Sequence, residues 1–375
     1  MLSLLALQPP VLLAFGLGAA TLSFFVFSGA ATTKDAPASG ATMKKIFLKS
    51  PNADMNKVEL EVKNVPIPRL KKGQVLVKVS AAPVNPSDYG VWITSEGGRA
   101  IGNEGSGVVV ASGGGFVARR MVGKTVGFVA QETGSYGEYS VVDALKGCFP
   151  LSSAPVEDCA SFFVNPFTVI AMIHTAQKIH KTNVFIHTAA ASQLGQMMVK
   201  LCKTMDVKVV NLVRRREQVK LLKDLGAEIV VCQEDSDWEE QLKNLISKMK
   251  IKVAFDCIGG KMSGQLVSML PPKSTTYVYG GLAKEPVGGV PIVDLIYRKK
   301  QVKGFLLTHW LLDGGILGTL SRVRFALKLV DDGLKKGGWA ESQFVDCRPE
   351  EMQKEFLKMW NGGGFTGAKL RIRFD

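Results

Sequence analysis

Between Asn183 and Cys232 small, polar and cationic side chains fall at the ends of short apolar runs, where a fold could gather them into one site. The run NVFIHTAA reads as a buried strand, and SQLGQMMVKLCKTM carries Leu194, Met197, Met198, Leu201 and Met205 at helical spacing. The turn between them, Ala190-Ala191-Ser192-Gln193-Leu194-Gly195, has the spacing of a Gly-x-Gly-x-x-Gly phosphate cradle with small residues in the first two glycine positions. Backbone N–H groups at a helix N-terminus suit a pyrophosphate, although a helix simply capped by Ser192 has the same sequence. VKVVNLV reads as the second strand, with Arg214, Arg215 and Arg216 at its end, where an NAD-binding chain would place an acid against the ribose hydroxyls. Guanidinium groups pair with a 2′-phosphate, and cations at a helix start oppose its macrodipole, so the expected cofactor is NADPH. The plain alternative is a solvated basic helix start. Candidate cofactor contacts here are Ala190, Ser192, Gln193, Leu194, Arg214 and Arg215.

Positioning these residues requires a parallel sheet. REQVKLLKDLG reads as a helix stopped by Gly226, and EIVVC as a third strand. VAFDCIGG and TTYVYGGL read as further strands ending in glycines, which brings Cys257, Tyr279, Gly280 and Gly281 to the carboxyl edge of the sheet. VKGFLLTHW, Val302 to Trp310, is expected as the last strand. Residues 43–145 instead hold short alternating strands such as QVLVKVSA and SGVVVAS, a β-rich unit.

The blocks VNPSD, GNEGSG, VNPFT, HTAAASQLGQ, DCIGGK, YGGLAKEPV and GFLLTHW occur in this order. With them the chain resembles the zinc-free medium-chain dehydrogenase/reductase superfamily, above all the zeta-crystallin-type quinone oxidoreductases and the mitochondrial trans-2-enoyl thioester reductases. The resemblance implies an α/β fold: a doubly wound Rossmann sheet with a GroES-like β-rich catalytic domain, here preceded by an N-terminal hydrophobic helix. The expected divisions are 1–42 leader and linker, 43–165 catalytic, 166–308 NADPH-binding, and 309–375 a return segment. It further implies Asn85 and Thr168 near the nicotinamide, Gly280 and Gly281 lining the cofactor cleft, and Phe305 and Leu307 closing over it.

Zinc-dependent members place cysteine and histidine where this chain has Pro86-Ser87 and Asn103, so no catalytic metal is expected. The chemistry implied is hydride transfer from NADPH to a quinone, an activated enone or an enoyl thioester. Enoyl thioester reductases carry an acidic tyrosine several residues past their NPSD, and the shorter loop here has none at that place. Tyr89 stands as a substitute from another angle, or as an aromatic packed against Trp92. Three functions are in view: a quinone or enone reductase, an enoyl-CoA or acyl-carrier reductase, and a non-catalytic accessory subunit of a membrane complex.

The chain has 375 residues, 46% apolar and 21% charged, as expected of two folded domains. Its net charge of +14 is spread over helix surfaces without aromatic interleaving, so nucleic acid is not an expected partner. The six cysteines include no CxxC pair. From Met1 to Thr33 there is no charged side chain, and Val11–Ala31 is long enough to cross a bilayer. A retained membrane anchor is expected, against a cleaved targeting peptide for a mitochondrion or plastid. Folding is expected to begin near Met43, and the partner class is a homodimer.

Overall fold

The computed structural model describes residues 31–130, 132–362 and 367–374. The hydrophobic helix expected within the leader falls on residues 1–30, outside the described residues. Order begins before the expected Met43: β1 (Ala31–Thr32) pairs antiparallel with Ala111 and Ser112, and the Thr33 amide donates to the Val110 carbonyl. The segment read as a linker thus satisfies backbone groups that the neighbouring strand would otherwise leave open.

The antiparallel sheet is centred on β2 (Gln74–Pro83), whose apolar residues Val75, Leu76, Val77 and Val79 are all buried. From β2 the chain enters α1 (Pro86–Thr94), then crosses to β3 (Glu104–Ser112), which pairs with β2, and to the short helix α2 (Phe116–Met121). The β2–β3 register slips twice, and between the slips a Cβ at Gly107 would run into the Lys78 carbonyl oxygen.

The chain leaves this sheet through α3 (Val164–His174), in which every residue from Asn165 to Ile173 is buried. Asp158–Ile179, the one stretch among the described residues long and apolar enough to cross a bilayer, has 78% of its apolar window buried and is the core helix between the two sheets.

Six parallel strands follow: β4 (Val184–His187), β5 (Lys208–Val213), β6 (Ile229–Cys232), β7 (Val253–Asp256), β8 (Thr275–Val278) and β9 (Gln301–Gly304). Their spatial order is β6-β5-β4-β7-β8-β9, the doubly wound arrangement, with its switch point between β4 and β7. Helix α4 (Gln193–Thr204) links β4 to β5, α5 (Arg216–Asp224) links β5 to β6, and α6 (Gly260–Met269) links β7 to β8. Phe185 and Phe255 meet edge to face at 5.3 Å under α3, each buried ring contributing about 2–3 kcal/mol. The short helix α7 (Ile292–Ile296) precedes β9.

One expectation is corrected here. The run Val302–Trp310 is not all strand: β9 stops at Gly304, and α8 (Leu307–Leu312) begins three residues later. Trp310 turns inward, where its Nε1 donates to His174 Nδ1 (3.2 Å), and Leu311 joins the same core; a strand would not place these neighbours so. Helix α9 (Gly315–Gly333) buries Ala326 and Val330 in that core too. Only at β10 (Phe344–Cys347) does the chain rejoin the antiparallel sheet; α10 (Met352–Asn361) follows, and β11 (Lys369–Arg373) lies between β10 and β2.

Gly107→Ala is expected to destabilise the chain by about 2–3 kcal/mol, because the collision is with backbone that cannot swing aside. A calorimetric melt unchanged from the parent's would show that the bulged β2–β3 register gives way instead.

Candidate active site and cofactor crevice

The turn from β2 into α1 carries Asn85 and Asp88. Asn85 is completely buried and caps α1, its backbone N–H donating to Asp88 Oδ2 (2.7 Å). Its amide nitrogen donates to Glu104 Oε1 (2.9 Å), and its amide oxygen accepts from Lys369 Nζ (2.6 Å). Glu104 uses Oε2 to accept the Phe163 and Val164 amides (2.8 and 3.1 Å), so it holds the first turn of α3. Lys369 also donates to Ser161 Oγ (2.7 Å). Five side chains from four segments therefore form one buried network.

Burial pushes the Glu104 carboxyl up, against the pull of Lys369 and the amides it accepts from. Burial brings Lys369 down to about 8, opposed by Glu104 and Asp88. Asp88 is pushed up to about 7 by the same desolvation, against the Asn85 amide and the neighbouring Tyr136 hydroxyl. Its Oδ1 has no hydrogen-bond partner and borders a cavity of about 20 Å³ lined by Trp92 and Arg99, room for about one water.

The zinc-ligand positions of the superfamily meet here as a different pair: Asn103 Nδ2 donates to Ser87 Oγ at 3.0 Å. An amide and a hydroxyl joined to one another, beside a glutamate whose oxygens are already engaged, do not make a zinc site.

Thr168 lies one turn into α3, 9% exposed, with its hydroxyl donating to the Val164 carbonyl (2.6 Å). The Tyr89 ring packs against Trp92, Phe356 and Trp360 with centroids 6.3, 5.7 and 5.5 Å away. The aromatic packing foreseen for it is present, and its phenol is also close enough to the Cys257 thiol to feel it; burial, chiefly, raises the phenol.

The carboxyl ends of the parallel strands bring the other residues together. Ala189 sits at φ +50°, a left-handed conformation that strains any residue but glycine, directly before Ala190 and Ala191. Ser192 caps α4, its hydroxyl accepting the Gly195 amide at 3.2 Å, and a side chain on Gly195 would strike the Ala190 carbonyl. The strand and helix can therefore close on each other as a phosphate turn requires. Gln193 turns away from this turn to bond the Gly367 carbonyl (3.0 Å), and Leu194 packs into the core. Arg214 is exposed at the end of β5, while Arg215 pairs with Glu217 (2.7 Å) and Arg216 with Asp235 (3.1 Å). The solvated-helix reading thus accounts for two of the three arginines.

Across the switch point, Thr188 Oγ1 donates to Asp256 Oδ1 (2.8 Å) and accepts the Cys257 amide (2.8 Å). His187 Nε2 and the Tyr279 hydroxyl are 2.7 Å apart, and burial lowers this histidine to about 3, so it stays neutral. Burial pushes the Cys257 thiol up to about 11, eased by the Tyr279 hydroxyl. A side chain on Gly280 would collide with Cys257, whereas Gly281 has open space around it. Phe305 packs against Phe255 and Tyr277 (5.6 and 5.8 Å), and Leu307 opens α8. Sequence reasoning passed over Lys369, Ser161, Asp88 and Thr188, and had Glu104 only within the GNEGSG block. The VNPSD and GNEGSG blocks were the available signal for Asp88 and Glu104; only strand register finds Lys369.

Residues 71–153 match the alcohol dehydrogenase GroES-like domain, and residues 194–313 match the zinc-binding dehydrogenase family model. A mitochondrial enoyl-[acyl-carrier-protein] reductase of Xenopus tropicalis is 31% identical over 261 residues, 67% of this chain and 74% of the relative. Among solved structures, one assigned as an NADPH:quinone reductase from Mesorhizobium loti superposes with a TM-score of 0.77 at 28% identity, covering 90% of this chain and 99% of the other. The mitochondrial 2-enoyl thioester reductase heterodimer of Candida tropicalis shares the fold, with a TM-score of 0.71 at 20% identity over 88% of this chain and 99% of its own.

Asp88 gives the site a signature in pH. Its carboxyl keeps a proton up to about pH 7 in the fold but has an ordinary value of 3.8 when unfolded. The folded chain therefore binds the extra proton between these values, and Asp88's contribution makes stability fall as pH rises from about 4 to about 7. His187 acts in the opposite sense below its ordinary 6.5, so the informative quantity is the difference between variant and parent. Asp88→Asn is expected to gain melting temperature relative to the parent as pH goes from 5 to 8. Parallel curves would place the proton elsewhere.

Proposed function

The chain belongs to the zinc-free medium-chain dehydrogenase/reductase family, and from that premise we propose that it is an NADPH-dependent reductase of quinones or conjugated enones that works without a metal. The observation that carries this reading is the Ser87–Asn103 hydrogen bond at the positions where zinc-dependent members hold their ligands. Bound NADPH would supply the hydride; the protein supplies position, a dry site and a donor for the oxygen that gains charge.

The cofactor roles are assigned as follows. The Ser192-capped start of α4, with Ala190 and Gly195, faces the pyrophosphate, while Gln193 and Leu194 hold that turn against the rest of the fold. Arg214 pairs with the 2′-phosphate, and Arg215 joins it by exchanging Glu217 for the phosphate. Cys257, Tyr279, Gly280 and Gly281 line the nicotinamide half, with Phe305 and Leu307 as its back wall. On the opposite wall Tyr89 donates a hydrogen bond to the acceptor's oxygen, Thr168 offers a second hydroxyl, and Asn85 is a positioning residue held between Glu104 and Lys369. The division into leader 1–42, catalytic 43–165, cofactor-binding 166–308 and return 309–375 is proposed with it, α8 and α9 packing on the cofactor side.

A second reading, reduction of an enoyl thioester, is favoured by the Xenopus relative and the Candida fold. The mitochondrial relatives support an organellar setting, and the uncharged run 11–31 supports an anchor as the alternative to a cleaved targeting segment. The edge position of β9 and the exposed Ile292 and Ile296 of α7 (71% and 62%), with Tyr297 just after it (78%), support a homodimer.

NADPH oxidation with a quinone panel, an enone panel and crotonyl-CoA decides between the readings, and no turnover with any of them would leave the accessory-subunit alternative. Arg214→Ala is expected to raise KM for NADPH by roughly tenfold or more while leaving NADH unchanged. An equal loss for both cofactors would remove the 2′-phosphate assignment. Tyr89→Phe is expected to lower kcat by about a hundredfold with little change in the KM for NADPH. An unchanged kcat would reduce Tyr89 to a packing residue.

A further inference from the structure

One end of the antiparallel sheet carries a surface that the reductase reading does not use. The register sets Ala31 opposite Ser112, one residue before Gly113 and shortly ahead of α2. The same corner holds the Lys71–Gly73 turn and the loop after Asp143. The Gly113 amide donates to Gln74 O, the Gly73 amide to Gly114 O and the Ala144 amide to Gly73 O, at 2.9 Å each.

Apolar groups project here: Phe116 is 70% exposed, Leu145 43% and Val117 37%. The segments that meet here carry the cations Lys34, Lys71, Lys72, Arg119, Arg120 and Lys146 and the acids Asp35 and Asp143. Asp143 already accepts the Leu145 and Lys146 amides (3.0 and 2.9 Å). Among the described residues none of the six cations has an ion-pair partner. Arg120 lies over the Phe116 ring, 5.4 Å from its centroid. Arg119 keeps Nε and Nη2 shielded from solvent with no hydrogen-bond partner, an arrangement that an anionic oxygen would satisfy.

We propose that this corner is a docking face for an anionic lipid bilayer, with Phe116 and Val117 entering the headgroup layer and the surrounding cations meeting lipid phosphates. Two features select a bilayer over an acidic protein. An aromatic with an apolar neighbour ringed by cations suits an interface that is apolar below and anionic above. Each cation near such a surface contributes a factor of about five in binding. The inference is independent of the substrate assignment, since it concerns a surface outside the cleft.

The test is co-sedimentation of the full chain with phosphatidylcholine vesicles, with and without one third phosphatidylglycerol, at low and physiological salt. Phe116→Ser and the triple change Lys71→Glu, Lys72→Glu, Arg120→Glu are run beside the parent. Parent binding is expected to rise at least tenfold with the anionic lipid and weaken with salt. The triple variant should lose at least tenfold and Phe116→Ser severalfold, with melting temperature and NADPH oxidation unchanged in both. Variants that bind like the parent would show that the leader alone holds the membrane and would overturn the proposal. So would a parent that ignores lipid charge, or one that binds soluble polyglutamate as tightly as vesicles whether or not Phe116 is present.

Discussion

The bond on which the site depends is the double engagement of the Asn85 side chain, which donates to Glu104 and accepts from Lys369 inside a fully buried space. Removing charged groups from water is expensive, and a network of this kind persists only when each member is matched. Here the matching does architectural work. Glu104 reaches from β3 to the amides that begin α3, and α3 is the helix that leads from one sheet to the other. Lys369 ties the last described strand to the turn leaving β2 and to Ser161 ahead of α3. The buried network is thereby a junction of segments distant in sequence, and its rigidity follows from the cost of leaving any partner alone.

A complementary principle governs the parallel sheet. Asp256 gathers the Thr188 hydroxyl, the Ser263 hydroxyl (2.6 Å) and the Ile258 amide (2.9 Å), fixing the turn after β7 against the end of β4. The crevice at the switch point is shaped by this carboxylate and by close backbone approaches at Gly195 and Gly280, so a nucleotide would meet a surface already formed. The strained Ala189 belongs to the same design: an unfavourable local conformation is held by the strands on either side because the turn needs it.

The legible parts of the sequence were those with local periodicity. The runs around Val184, Lys208, Ile229, Val253 and Thr275 became strands because each is a short apolar β-forming run closed by a turn residue, and α4 followed from its repeating apolar stripe. The Val302–Trp310 run misled because apolar content does not separate strand from buried helix; Trp310 and Leu311 are core residues of α8, not of a strand. The early start at Ala31 was hidden because its pairing is made by backbone groups, which small and polar residues do not announce. The candidate site was half visible. Ser192, Gly195 and Arg214 could be read from spacing, but Lys369 lies 284 positions from Asn85, and no local pattern connects them. The paired Arg215 and Arg216 show a further limit: a run of one charge says nothing about which acids fold back onto it.

The place of Lys369 in the chain also has a meaning for biosynthesis. All six strands of the parallel sheet are synthesised before it, so a nascent chain on the ribosome can assemble its nucleotide crevice while Glu104 and Asn85 still lack their cation. Until β11 slots between β10 and β2, the Glu104 carboxyl lacks the cation that offsets its burial. A chain unable to seat this strand would keep the six-stranded parallel sheet while Asn85 lost the ammonium that its amide oxygen accepts from.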